Sequence, residues 1–199
     1  MNTLIRLATA QDCGQIGAIY APYVRNTAIS FETEPPSADE MRARLAKILE
    51  FMPWLICERD EQIIGYAYAD KYRMRAAYQW SASVSVYVDS SAHRGGVGRG
   101  LYTSLLGILE SQGLYNVFAG ITLPDVGGSV GFHRSFGFRQ IGLEQAVGYK
   151  LGAWHDVSLW HLLLRPCEPN PRPPVPIADA VKMDSWRALI SAGLPLVRE

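Results

Sequence analysis

An alternating apolar run, a glycine-rich turn and a helical apolar stripe follow one another from Val84 to Leu109, and no other stretch restricts the fold as much. In Val84-Ser85-Val86-Tyr87-Val88 the three valines share one face of a strand. Val97, Leu101, Leu105, Ile108 and Leu109 then line one side of a helix that Gly113 closes. Between them lies His93-Arg94-Gly95-Gly96-Val97-Gly98-Arg99-Gly100. Glycine lets a backbone turn tightly and bring its N–H groups close to a ligand. The helix that follows contributes the positive end of its dipole, so strand, loop and helix together predict a pyrophosphate cradle. Short glycine motifs are weak on their own, and an ordinary turn ahead of a helix has the same composition. Two commoner phosphate loops fail on spacing. A Walker A loop needs Gly-Lys-Ser/Thr where Arg99-Gly100 follows Gly98, and the dinucleotide fingerprint needs its third glycine further along. A nucleotide-binding regulator therefore has no motif here.

The chain as a whole carries no charge excess: Lys plus Arg and Asp plus Glu are both 19. That argues against nucleic acid as the partner, since phosphate backbones are met by a basic surplus. An anionic ligand has to be met locally, and Arg94 and Arg99 supply charge beside the glycines. Cys13, Cys57 and Cys167 are scattered and odd in number, which gives neither a disulfide framework nor a zinc spacing. No His/Cys/Asp cluster has metal-ligand spacing, so no metal is expected, and His155 and His161 are assigned none. The N-terminus lacks the basic start and apolar run of a signal peptide, and no apolar stretch approaches the roughly 20 residues that span a bilayer. A soluble, cytoplasmic protein with no membrane partner is the expectation.

Short apolar runs alternate with helical patterns throughout, an α/β or α+β arrangement. Strands are expected at Leu4–Leu7, Trp54–Glu58, Ile63–Ala69, Val84–Val88, Asn116–Thr122, Gln140–Leu151 and Asp156–Leu164. Thr9 with Asp12 and Ser37 with Glu40 are capping-box patterns that open the first two helices. Pro22 is expected to disturb the last turn of the first helix. Ser129–Phe136 reads as a short helix. Beyond Arg165 the prolines at 166, 169, 171, 173, 174 and 176 leave too few amide donors for a sheet. The chain therefore divides into a domain at 1–165 and a Pro-rich tail at 166–199, with a short amphipathic helix around Ala178–Ile190.

The glycine loop resembles the pyrophosphate loop of GNAT acyltransferases, Gln/Arg-x-x-Gly-x-Gly/Ala, with His93 at the Gln/Arg position. From about Ile5 to Leu164 the chain resembles, more narrowly, the phosphinothricin N-acetyltransferases and their methionine sulfoximine and sulfone relatives. Phe31-Glu32-Thr33-Glu34-Pro35, Pro53-Trp54-Leu55, Gly65-Tyr66-Ala67-Tyr68, Ser85-Val86-Tyr87-Val88, Leu101-Tyr102-Thr103 and Trp154-His155-Asp156-Val157 carry the likeness in order. The resemblance implies a mixed, mostly antiparallel, splayed sheet flanked by helices, and a homodimer. It implies acetyl-CoA lying in a V between the strand ending at Val88 and the strand from Asn116. The backbone of Val86, Tyr87 and Val88 would pair with the pantetheine, and His93, Arg94, Gly95, Gly96, Val97, Gly98 and Arg99 would hold the pyrophosphate. Ser129 matches a further cofactor contact, while Asp125 replaces an asparagine whose N–H donors a carboxylate cannot offer.

The implied reaction is direct acetyl transfer to the primary amine of a small amino-acid-like substrate, with Phe31, Glu32, Arg75 and Tyr78 around the acceptor. Arg75 suits a carboxylate or phosphinate through a bidentate pair. His133 and Tyr102 match family residues at the catalytic cleft, and a histidine is suited to protonating a departing thiolate. A hydrogen-bonded core histidine and a core-facing tyrosine satisfy the same pattern. The family's base is a glutamate in the strand before the glycine loop, and Ser83 stands there instead. Three readings remain open. Water takes the amine's proton, Glu32 reaches in, or the protein is an acyl-CoA-binding relative with lost or re-specified catalysis.

Overall fold

The computed structural model describes residues 2–198. Its centre is one open seven-stranded sheet. In spatial order the strands are β1 (Thr3–Leu7), β2 (Trp54–Arg59), β3 (Gln62–Lys71), β4 (Ser81–Val88), β5 (Asn116–Leu123), β7 (Ala153–Leu163) and, at the edge, β6 (Arg139–Lys150). Every neighbouring pair is antiparallel except β4 and β5.

Helices cover both faces. Tyr66 and Gly65 are successive residues of β3 and so point to opposite sides. Tyr66 and its partner Tyr87 lie under α1 (Cys13–Asn26), whose Tyr20 and Tyr23 rings meet Tyr87 edge-on at 4.9 and 5.2 Å. Gly65 lies under α3 (Val97–Ser111), where an added Cβ would come within 2.8 Å of Val97 and 3.4 Å of Leu101. The stripe Val97, Leu101, Leu105, Ile108 and Leu109 is buried there, as its spacing predicts. α2 (Ala38–Leu49) packs beside α1, and its capping box forms: Glu40 N donates to the Ser37 hydroxyl and Ser37 N to the Glu40 carboxylate. α4 (Ser129–Ser135) follows β5.

α1 runs through Pro22 to Asn26 without ending early. Pro22 and Ala18, whose carbonyl loses its usual donor, are both exposed, so the missing bond falls on the solvent side of the helix. The tail helix expected at 178–190 is instead two short pieces, α5 (Ile177–Ala180) and α6 (Trp186–Ser191). Packing decides where they lie. The Pro-rich segment is attached largely through its carbonyls, with Trp80 Nε1 donating to Arg172 O at 2.8 Å and Gln112 Nε2 to Val175 O at 2.9 Å. The amides of Val175 and Ile177 then bond Gln112 O and Phe51 O at 2.8 and 3.0 Å. Beyond them α6 crosses α3 at the small residues Ser104 and Gly107, and Gly193, just after it, lies against Gly100.

Candidate active site

β4 and β5 are paired only at Ser81↔Asn116, Ala82↔Val117 and Ser83↔Phe118. Beyond Ser83 the two strands part, which leaves one edge of β4 without a partner strand. In an antiparallel ladder every second residue bonds across the same edge. Tyr72 N bonds Ser81 O and Asp89 N bonds Ile64 O, at 3.5 and 3.0 Å, so Ser83, Ser85 and Tyr87 turn their backbone groups to β3. Val86 and Val88 turn theirs into the opening. This corrects the sequence expectation at Tyr87, whose backbone faces β3 and whose ring is buried in the α1-side aromatic cluster. Val88 is half engaged as well, since its carbonyl accepts the Tyr23 hydroxyl at 2.6 Å with His93 Nε2 3.1 Å away. Val86 keeps both groups open.

The free edge of β4 leads to the glycine loop. Arg94 and Gly96 take left-handed backbone at φ 64° and 78°, and α3 begins at Val97 with no side-chain cap. Its first intrahelical bond is Gly100 N to Gly96 O at 2.9 Å, so the N–H groups of Val97, Gly98 and Arg99 point out of the helix end. Gly98 faces Val88 and Phe132, keeping side-chain bulk out of the angle between strand and helix. Arg94 is exposed, and the Arg99 guanidinium lies 5.8 Å over the Phe136 ring. His93 turns its ring back to Tyr23, 3.1 Å from its hydroxyl.

Four sequence-selected residues, Asp125, Ser129, His133 and Tyr102, gather in α4, just before it or against it. Asp125 accepts the amides of Ser129 and Val130 at 2.9 and 2.8 Å, so its carboxylate caps the helix that carries His133. A carboxylate does this as well as the asparagine it replaces. His133 is buried, its Nδ1 2.8 Å from Ser129 O, which leaves Nε2 to accept the Tyr102 hydroxyl at 3.1 Å. Burial holds the imidazole below its usual pKa, against the opposing pull of the Ser129 carbonyl. Burial also raises the fully enclosed Tyr102 phenol far above its ordinary range. The pair is neutral, ordered and packed among Phe132, Phe136 and Phe138.

The acceptor-side residues gather on the α1 face. Glu32 is held by Arg44 through two bonds of 2.6 and 3.0 Å and accepts the Tyr20 hydroxyl at 3.0 Å. That carboxylate is already paired, so it does not reach to Ser83 in this arrangement. Phe31 is exposed and lies against Gly148, where any Cβ would collide with its ring. Tyr78 meets Tyr72 edge-on at 6.0 Å, and Tyr72 stacks on Phe118 at 3.9 Å. Ser83, Tyr72, Phe118, Gly120, Ile141 and Leu159 line one cavity at the point where β4 and β5 part. Arg75 lies outside it, exposed at the start of the 3-10 turn Ala76–Tyr78, while Arg73 is the arginine stacked over the Tyr72 and Tyr78 rings, at 5.1 and 5.6 Å.

Two residues here escaped the sequence reading. Tyr23 closes the end of β4, and Lys150 donates to Val24 O and Ser30 O, both at 2.6 Å, fixing the loop that carries Phe31 and Glu32. The period-two pattern of β6 sets Lys150 on the face opposite Leu143, Val147 and Tyr149, which reads as the solvent side, and only the fold shows that it is the inward one.

A strand edge left open by its neighbour and running into an uncapped, glycine-lined helix end is the frame of an acyl-CoA-dependent acyltransferase. Residues 5–159 match the family described as the acetyltransferase (GNAT) domain, and the chain belongs to that family. It is 38% identical over 172 residues, 86% of this chain and 93% of the other, to a phosphinothricin N-acetyltransferase of Streptomyces viridochromogenes. It is 32% identical to the L-methionine sulfoximine/L-methionine sulfone acetyltransferase of Salmonella typhimurium, across 80% of this chain and 94% of that one. Among solved structures, a GNAT superfamily phosphinothricin acetyltransferase from Sinorhizobium meliloti in complex with AcCoA is similar, with a TM-score of 0.76 at 32% identity. The match covers 85% of this chain and 95% of that one.

Proposed function

We propose that this chain moves the acetyl group of acetyl-CoA directly to the primary amine of a small amino-acid-like acceptor, of the phosphinothricin or methionine sulfone/sulfoximine type. One observation carries the reading. β4 and β5 part beyond Ser83, which lines a cavity, and the open edge of β4 runs on from there through Val86 toward the uncapped N-terminus of α3. A pantetheine arm paired with Val86 and a pyrophosphate on the N–H groups of Val97, Gly98 and Arg99 would bring a thioester to that apex. His93, Arg94, Gly95 and Gly96 complete the loop, and Ser129 flanks it from α4. Tyr78 would face the acceptor from one side and Phe31 and Glu32 from the other, with Arg73, stacked over the Tyr72 and Tyr78 rings, in the place the sequence reading gave to Arg75. The Tyr102–His133 pair keeps a phenolic proton beside the cleft for the departing thiolate.

Two coarser features belong to the same reading. The cytoplasm suits three free cysteines, Cys13, Cys57 and Cys167. A homodimer suits the apolar surface of β6 and β7, where Ile141, Leu143, Val147, Tyr149, Leu151, Trp154 and Leu163 are all exposed. The catalytic domain is 1–165 and the Pro-rich tail 166–199, whose described residues pack on α3.

The test is thiol release from acetyl-CoA by purified protein with a panel of amines: phosphinothricin, methionine sulfone, methionine sulfoximine, common amino acids and polyamines. Release that depends on one of the first three is the expected result. Folded protein that binds acetyl-CoA but releases no thiol with any amine would end this reading. It would leave a catalytically silent acyl-CoA protein, the reading that Ser83 at the apex favours.

A further inference from the structure

We infer that Asp70 is the general base of this site, acting across the sheet from the strand beside the one that carries Ser83; the inference rests on the acetyl-transfer reading above. An ammonium has no lone pair, so the acceptor must lose a proton before it attacks a thioester. At the apex the β4 side chain is a serine hydroxyl, which takes no proton unaided. The sheet register places Asp70 directly opposite it, at Asp70↔Ser83. Residues so paired point to the same face, with Cβ atoms about 5 Å apart. That face is the one lined by Tyr68↔Ser85 and Tyr66↔Tyr87, under α1 and the loop of Phe31. Tyr72, two residues along β3 from Asp70, closes the cavity with Ser83 and Phe118.

Three other carboxylates near the site are engaged. Glu32 is paired with Arg44, Asp125 caps α4, and Asp156 accepts Ala146 N at 2.7 Å. Asp70 is exposed, and its one bond among the described residues is Oδ1 to the amide of its neighbour Lys71, at 2.7 Å. The step balances simply. The ammonium gives one proton to the Asp70 carboxylate, the free amine attacks the thioester carbonyl, and the carbon–sulfur bond breaks. The Tyr102–His133 pair protonates the thiolate and is made good by the second amine proton, and Asp70 returns its proton to water.

The experiment compares wild type, Asp70→Asn, and Asp70→Asn combined with Ser83→Glu, which restores a carboxylate at the paired position. Asp70→Asn is expected to lower kcat about a hundredfold or more. The KM for acetyl-CoA and the melting temperature should hold, because the side chain is exposed and remote from the glycine loop. The double variant should recover most of the lost rate. Asp70→Asn with kcat within about twofold of wild type would overturn the inference. So would a loss accompanied by a changed acetyl-CoA KM or melting temperature, or a double variant no faster than Asp70→Asn. A wild type that is silent across the whole amine panel removes the function itself, and the base with it, so the two failures are told apart by the wild-type assay.

Discussion

Lys150 is only 7% exposed, yet the bonds of its ammonium are to two carbonyls, Val24 O and Ser30 O, rather than to a carboxylate. Burial pulls its pKa down, and the nearby Glu32 pulls it back. Lys150→Met is therefore expected to strand two carbonyls and to cost about 1–3 kcal/mol of stability. Because those carbonyls anchor the loop of Phe31 and Glu32, the KM for the amine should rise while that for acetyl-CoA stays, a split that steady-state kinetics read directly. His133 makes a different prediction. Its folded pKa is depressed, so the unfolded chain takes up the proton first as pH falls. The stability it contributes is complete above about 6.5 and declines as pH drops from there toward the folded pKa. The melting-temperature gap between wild type and His133→Gln should narrow between pH 8 and pH 5.5. A gap that is constant over this range would mean that the imidazole is not held neutral by burial.

Among the elements, the strand, glycine loop and helix around residues 84–109 were legible because each has its own period and the three are contiguous. The capping box of α2 was legible for the same local reason. What stayed hidden is lateral. The turn between β3 and β4 includes a 3-10 piece at Ala76–Tyr78, so the register Asp70↔Ser83 cannot be counted from chain length. Likewise Asp125 reads as a lost amide donor until its carboxylate is found capping α4. The extension is the largest such case. Ser104 Oγ donates to Ile190 O at 2.9 Å and accepts Gly193 N at 3.1 Å, and Arg198 N reaches Gly95 O at 2.8 Å. A Cβ on Gly193 would run into the Gly100 carbonyl, which is backbone and cannot move aside. Gly193→Ala is expected to cost about 1–3 kcal/mol. Since the extension bonds the glycine loop itself, acetyl-CoA binding should weaken in the same variant. Calorimetry and a binding titration check the two effects, and normal affinity in a destabilised variant would separate the extension from the cofactor site.

At the scale of the whole molecule, the apolar surface is unevenly spread. Buried side chains fill both faces of the sheet under the helices, but β6 and β7 extend past that cover. Trp154 is 66% exposed and Tyr149, its edge-on neighbour at 5.4 Å, is 61% exposed. With a formal net charge of zero, no long-range repulsion keeps two copies apart. The same strands contribute Lys150 and Gly148 to the acceptor loop, so covering them would also shield the mouth of the site. The expected outcome is a wild-type dimer of about twice 22.0 kDa by light scattering. Trp154→Glu together with Tyr149→Lys should yield a monomer, since burying either charge against an apolar face costs far more than the contact returns. Both side chains are exposed in the single chain, so its fold should survive the change with an unaltered circular dichroism spectrum. The acceptor KM should rise as the loop of Phe31 loses its cover, with acetyl-CoA affinity kept because the glycine loop lies elsewhere. A wild type that is monomeric at assay concentration would dispose of the dimer, and the acceptor site would then have to be complete within one chain.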